Sequence, residues 1–190
     1  MKKLTILLVT LITLFTCSNK LTTVNDLNML NADNDINALL TGEFSIIEEI
    51  NALSMDDKKN VLALALNVFH EARGEKLEGQ IAVINVVLNR VKSDLYPDNI
   101  VEVVYQNKQF SWTLNDDRVS ILLKEKKAWI DCQQIAFIVY TNRKYSKLES
   151  EFYLHYVNKD IVNKITWAKN FTKRKIIGHH IFLMKERKNA

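Results

Sequence analysis

Residues Phe69 to Glu75 read Phe-His-Glu-Ala-Arg-Gly-Glu, and His70-Glu71 opens like the pattern H-E-x-x-H, in which two histidines one helical turn apart share a zinc ion. The second histidine would fall at position 74, which is Gly74. Metal binding by this segment is therefore not expected, and no cofactor is implied. What remains is a carboxylate at the end of an apolar helical run. In a partly dry cleft, desolvation raises the pKa of such a group, so that it stays protonated near neutral pH. That is what glycosidic-bond cleavage requires of a general acid. The ordinary alternative is that Glu71 caps the helix or pairs with Arg73 or a lysine, and spacing alone favours this second role. Glu75 lies four positions on, but Gly74 interrupts the helix, so the separation of the two carboxylates cannot be read from the pattern.

The elements that must position these residues are mostly helical. Ser54 followed by Asp57 is a capping-box variant ahead of an apolar run. Val61, Leu62, Ala65, Leu66 and Phe69 then form one helical stripe. Gly74 is expected to end this helix in the left-handed conformation. A second helix is predicted over 77–91, and its all-round hydrophobicity from Ile81 to Leu88 implies a central, buried position. Pro97 is expected to open a third, short helix. A fourth is predicted over 117–140, carrying Leu122, Leu123, Trp129, Cys132, Ala136 and Val139. Alternation around Phe152 to Val157, and a β-rich stretch from Lys175 to Met184, predict two strands of a small antiparallel sheet. The fold class is α+β, mainly helical, in one domain over 54–190.

The N-terminus reads differently. Lys2 and Lys3 precede an uncharged apolar run from Leu4 to Phe15, too short for a bilayer span of about 20 residues but suited to a signal peptide over 1–17. Leu14-Phe15-Thr16-Cys17 resembles a lipobox, which makes lipid anchoring at Cys17 an alternative; an uncleaved anchor is a third. Export to the periplasm or cell envelope follows, with membrane contact only through this segment. Residues 18–53 form an acidic Asn/Asp-rich tether with one short helix near Ile46 to Leu53. From 18 to 54 there is one Lys against six Asp and Glu, whereas 55–190 carries 23 Lys and Arg against 16 acidic residues. A basic body suggests a polyanionic partner, nucleic acid or envelope polymer. Cys132 is expected to be a small buried apolar residue, with a Cys17–Cys132 disulfide conceivable in an oxidising compartment.

The stretch from His70 to Trp112 is similar to the cell-wall hydrolases of the spore-cortex-lytic SleB and CwlJ type. The resemblance is carried, in order, by EARGE, EGQIAV followed by VLNRV, a YP turn, and VVYQ leading into QFSW. It extends through LHYVN at Leu154 to Asn158, TWA at Thr166 to Ala168 and IGHHIF at Ile177 to Phe182, roughly residues 58 to 184 in all. It departs from that pattern over 113–150 and in KITWAK, where a proline often precedes the tryptophan. The resemblance implies a lysozyme-like catalytic domain acting on peptidoglycan glycan strands without a metal, with Glu71 as the catalytic acid and lytic transglycosylase chemistry common. Hydrolytic muramidase or glucosaminidase action is the alternative, with Glu75 or Asp116 as second carboxylate. For substrate contact it points to Glu75, Gln109, Ser111, Trp112, His155, Tyr156 and His180, with Phe110 in the core. Arg73, Gly74 and Gln80 are expected to shape the loop after Glu71. His179-His180 is not expected to bind metal, since adjacent strand residues face opposite sides. A non-catalytic peptidoglycan-binding protein would have no need of Glu71. A nucleic-acid binder is disfavoured by the export signal and by the lack of a groove-reading motif.

Overall fold

The computed structural model describes residues 47–114, 118–141 and 152–184. The expected export signal, Cys17, most of the acidic tether and Asp116 lie outside them. Among the described residues, six α-helices precede three strands: α1 (Ile47–Asn51), α2 (Met55–Ala72), α3 (Leu77–Val91), α4 (Ile100–Tyr105), α5 (Arg118–Lys124), α6 (Lys126–Thr141), β1 (His155–Asn158), β2 (Lys173–Ile177) and β3 (His180–Met184). The class is α+β and mainly helical, with the small antiparallel sheet at the C-terminal end, as expected.

The helix that ends in Glu71 is built on its cap. Ser54 takes extended backbone angles and its hydroxyl accepts from the Asp57 amide at 3.2 Å. Asp56 and Asp57 then place negative charge on the positive end of the helix dipole. Tyr140 of α6 donates to Asp57 as well, which ties this cap to the neighbouring helix. Beyond the cap α2 does not expose a polar face. Ala63, Leu64 and Val68 are as completely buried as Val61, Leu62, Ala65 and Phe69. α3 shares the centre with it, as its apolar run implies: α2 packs on α3, α4 and α6, and α3 packs on α2, α4 and α6 and also meets β1 and β2. Ile50 of α1 also enters this core, so the packed body begins before Ser54.

Several boundaries differ from the sequence pattern. The helix stops at Ala72, but Gly74 is not left-handed; among the described glycines only Gly178 has positive φ, at 60°. Pro97 lies ahead of α4, whose cap is Asn99, accepting from the Glu102 amide at 2.9 Å. The predicted fourth helix is two, α5 and α6, broken at Glu125, and Leu123 points to solvent. The stretch 175–184 holds a hairpin rather than one strand. Gly178 and His179 form its two-residue turn, with positive φ at the first position as in a type II′ turn. The sheet order is β1-β3-β2, both pairings antiparallel, with Tyr156 opposite Phe182 and Val157 opposite Ile181. One face, through Phe182, joins the helical core; the other closes a second core of Val157, Val162, Ala168, Phe171, Ile181 and Leu183. Cys132 is buried and free, its thiol pushed up to about 12 chiefly by burial, and so held inert.

Candidate active site

Glu71 stands in the last turn of α2, half-buried, where the helical core meets the sheet. Tyr156 of β1 reaches across and its hydroxyl donates to Glu71 Oε2 at 3.0 Å. Burial pushes the Glu71 carboxyl above its ordinary range, against the pull of the Tyr156 hydroxyl and of the Arg90 charge. Burial, followed by the adjacent carboxylate, raises the Tyr156 phenol well above its own range, which keeps the hydroxyl a donor. The pair therefore has a carboxyl biased toward its protonated form and a fixed donor for the moment at which it ionises. The expected alternative, a surface pairing of Glu71 with Arg73, is not formed. Arg73 instead binds Glu125 through Nε (2.8 Å) and Nη2 (3.1 Å) and lies over the Phe69 ring.

Behind Tyr156 the hairpin turn is clipped to the loop after α2. Glu75, with only 9% of its side chain exposed, accepts from the His179 amide at 3.2 Å and lies 2.8 Å from His179 Nδ1. His180 Nδ1 stands 3.9 Å from the same carboxylate oxygen. The two histidines lean to one side because His179 belongs to the turn and not to the strand, contrary to the alternation expected of them. The His180 ring meets the Tyr156 ring edge-on at 5.1 Å, and burial holds its pKa below the usual histidine range. Gln80 closes the loop from inside, its amide donating to the Glu75 carbonyl at 3.1 Å and to that of Arg73 at 3.5 Å. A Cβ on Gly74 would meet nothing within 4 Å, so packing does not require glycine there.

The residues singled out from the sequence thus separate into groups. Tyr156 meets Glu71 directly, and His180 and Glu75 follow behind it. His155 looks the other way, onto Phe171 (4.9 Å) and the half-exposed Trp167 (5.6 Å). Trp112 is buried, stacked on His70 at 4.7 Å with its Nε1 donating to Asn67 Oδ1 at 3.2 Å. Its ring thus props the end of α2 and shows little of itself to solvent. Gln109 is half-buried and Ser111 exposed beside it, while Phe110 is core. Sequence reasoning passed over Asn89 and Arg90, whose side chains donate to the carbonyls of Tyr153 (3.0 Å) and Leu154 (2.8 Å). The available signal was two adjacent polar residues near the end of an otherwise apolar helix.

A buried helix carrying one desolvated carboxyl, faced by a small antiparallel sheet, defines a lysozyme-like catalytic domain. A family model for cell wall hydrolases matches residues 74–183, starting three residues after Glu71. The chain belongs to the cell wall hydrolase family. It is 30% identical over 125 residues to the spore cortex-lytic enzyme of Bacillus subtilis, covering 65% of this chain and 37% of that protein. With the enzyme of the same description from Oceanobacillus iheyensis it shares 41% identity over 54 residues, 28% of this chain and 20% of that one. The matches thus span well under half the length of these curated relatives. Among solved structures, the catalytic domain of the germination-specific lytic transglycosylase SleB from Bacillus anthracis superposes with a TM-score of 0.50 at 26% identity, covering 70% of this chain and 98% of that one. The Bacillus cereus SleB catalytic domain matches in fold at the same score and 24% identity, covering 70% of this chain and 94% of that one.

Proposed function

We propose that this domain cleaves peptidoglycan glycan strands between MurNAc and GlcNAc as a lytic transglycosylase, with Glu71 as general acid and then general base. The observation that carries this reading is the Glu71–Tyr156 pair: a carboxyl whose pKa burial raises, holding one fixed hydroxyl donor. In the first half-reaction Glu71 gives its proton to the bridging oxygen as the bond to the muramyl C1 breaks and oxocarbenium character develops. In the second, the muramyl C6 hydroxyl adds to C1 and its proton returns to Glu71, leaving a 1,6-anhydro end. Tyr156 stabilises the carboxylate between the two. One carboxylate suffices because the nucleophile belongs to the substrate.

Hydrolysis would need a second carboxylate across the cleft to activate water. Glu75 is engaged by the hairpin turn instead, which supports the transglycosylase over the muramidase. The names of the similar enzymes, which act on spore cortex or cell wall, support peptidoglycan as the polymer. The basic-apolar N-terminus supports export to the envelope; among the described residues no helix is long and apolar enough to cross a membrane. The test is product analysis on purified peptidoglycan with wild type and Glu71→Gln. The wild type is expected to release 1,6-anhydro ends, in EDTA as well as without it, and the folded variant to lose at least about 10²-fold in rate. An active Glu71→Gln protein refutes the acid, whereas reducing ends that still require Glu71 refute only the ring-closing step.

A further inference from the structure

Arg90 is 5% exposed in the last turn of α3, and burial alone works against its charge. Its Nε donates to the Leu154 carbonyl at 2.8 Å, and its guanidinium lies over the Tyr96 ring at 5.0 Å and the Phe110 ring at 5.5 Å. Its Nη1 is buried with no hydrogen-bond partner among the described residues. The two ring contacts are cation–π contacts that favour the charge, and Tyr96 favours it as well. The adjacent Asn89 holds the neighbouring carbonyl, that of Tyr153, with a neutral amide. The same buried charge also acts on Glu71 and Tyr156.

We propose that Arg90 is a positioning residue for the acid: through Leu154 it holds β1 at the height at which Tyr156 reaches Glu71. Its charge supports the same role by favouring the carboxylate that must take the proton back. The role rests on Glu71 being the acid and holds for a transglycosylase or a hydrolase alike. Leu154 precedes Tyr156 by two residues, so its carbonyl and the Tyr156 ring are set by the same stretch of backbone. The groups facing Glu71 are Tyr156 from β1 and Arg90 from α3, with His180 of β3 behind the Tyr156 ring. A positive charge near a carboxyl lowers its pKa. Taking that charge away raises it, so the pH above which the acid is spent moves upward.

The experiment is the pH profile of kcat on solubilised glycan strands for R90Q and R90K, with folding checked by circular dichroism. R90Q keeps an amide donor for Leu154 but no charge; its alkaline limb is expected at higher pH than wild type. R90K keeps the charge, so its limb is expected to stay. Its single ammonium cannot lie flat between two rings and also hold Leu154, so kcat is expected to fall about tenfold or more, with KM within about twofold. An unmoved limb in R90Q overturns the proposal, as does wild-type kcat in R90K. R90K carries the test by itself if R90Q does not fold. Failure of the underlying reading shows separately, as full activity in Glu71→Gln.

Discussion

At Glu71, function and stability pull in opposite directions. Its carboxyl is held above the unfolded value of about 4.3 chiefly by burial. A group with a raised folded pKa gives stability that is complete below the unfolded pKa and is lost as pH rises through the folded pKa. Glu71→Gln keeps the shape and an acceptor for Tyr156 but never ionises. The variant is therefore expected to melt at a higher temperature than wild type at neutral pH, with the difference vanishing near pH 4. Paired thermal melts across that range check this; equal melting temperatures at all pH values would mean that Glu71 carries no desolvation cost. Glu71 stood out in the sequence as a candidate acid, a carboxylate closing an apolar run within a familiar series of motifs. Tyr156 was read as a strand residue for substrate contact and not as the partner of Glu71, because their contact spans 85 positions and no local pattern records it.

Among the elements, α2 and α3 were legible almost to the residue, from the Ser54 cap of α2 and the apolar pattern of both. The hairpin was not. Its alternation runs on through Gly178-His179, and only a turn-forming glycine marks where the chain reverses. That glycine is held from two sides. Its φ of 60° suits no side chain well, and a Cβ there would lie 1.7 Å from Glu75 Oε2. Gly178→Ala is expected to cost about 2–3 kcal/mol in denaturant unfolding, as a strained backbone and a steric conflict together. In a Glu75→Ala background the conflict is gone, and the same substitution is expected to cost only the backbone part, about 1–2 kcal/mol. Equal costs in the two backgrounds would show that Glu75 does not crowd the turn. The break at Glu125 was likewise unreadable, because the Arg73 guanidinium that binds its carboxylate comes from another helix.

For the whole molecule, the charge imbalance bears on how a polymer is met. The 23 Lys and Arg against 16 acidic residues over 55–190 should draw the protein to an anionic wall before any sugar is bound. Cosedimentation with purified sacculi is expected to weaken as salt rises beyond physiological strength, where the screening length is already about 8 Å. Binding that ignores salt would place the affinity in ring stacking instead. The enclosure of α2 carries a further consequence. Its middle turns, Val61 to Ala65 with Val68 and Phe69, have no exposed surface, and their amides belong with those that exchange with solvent only when the whole domain opens. The proposed proton donor is thus carried by a helix whose middle turns are enclosed, with Trp112 beneath its last turn. Such an enzyme has little room to fit itself to its substrate around the reacting bond. The glycan proposed as substrate, a flexible polymer, is then the partner that bends.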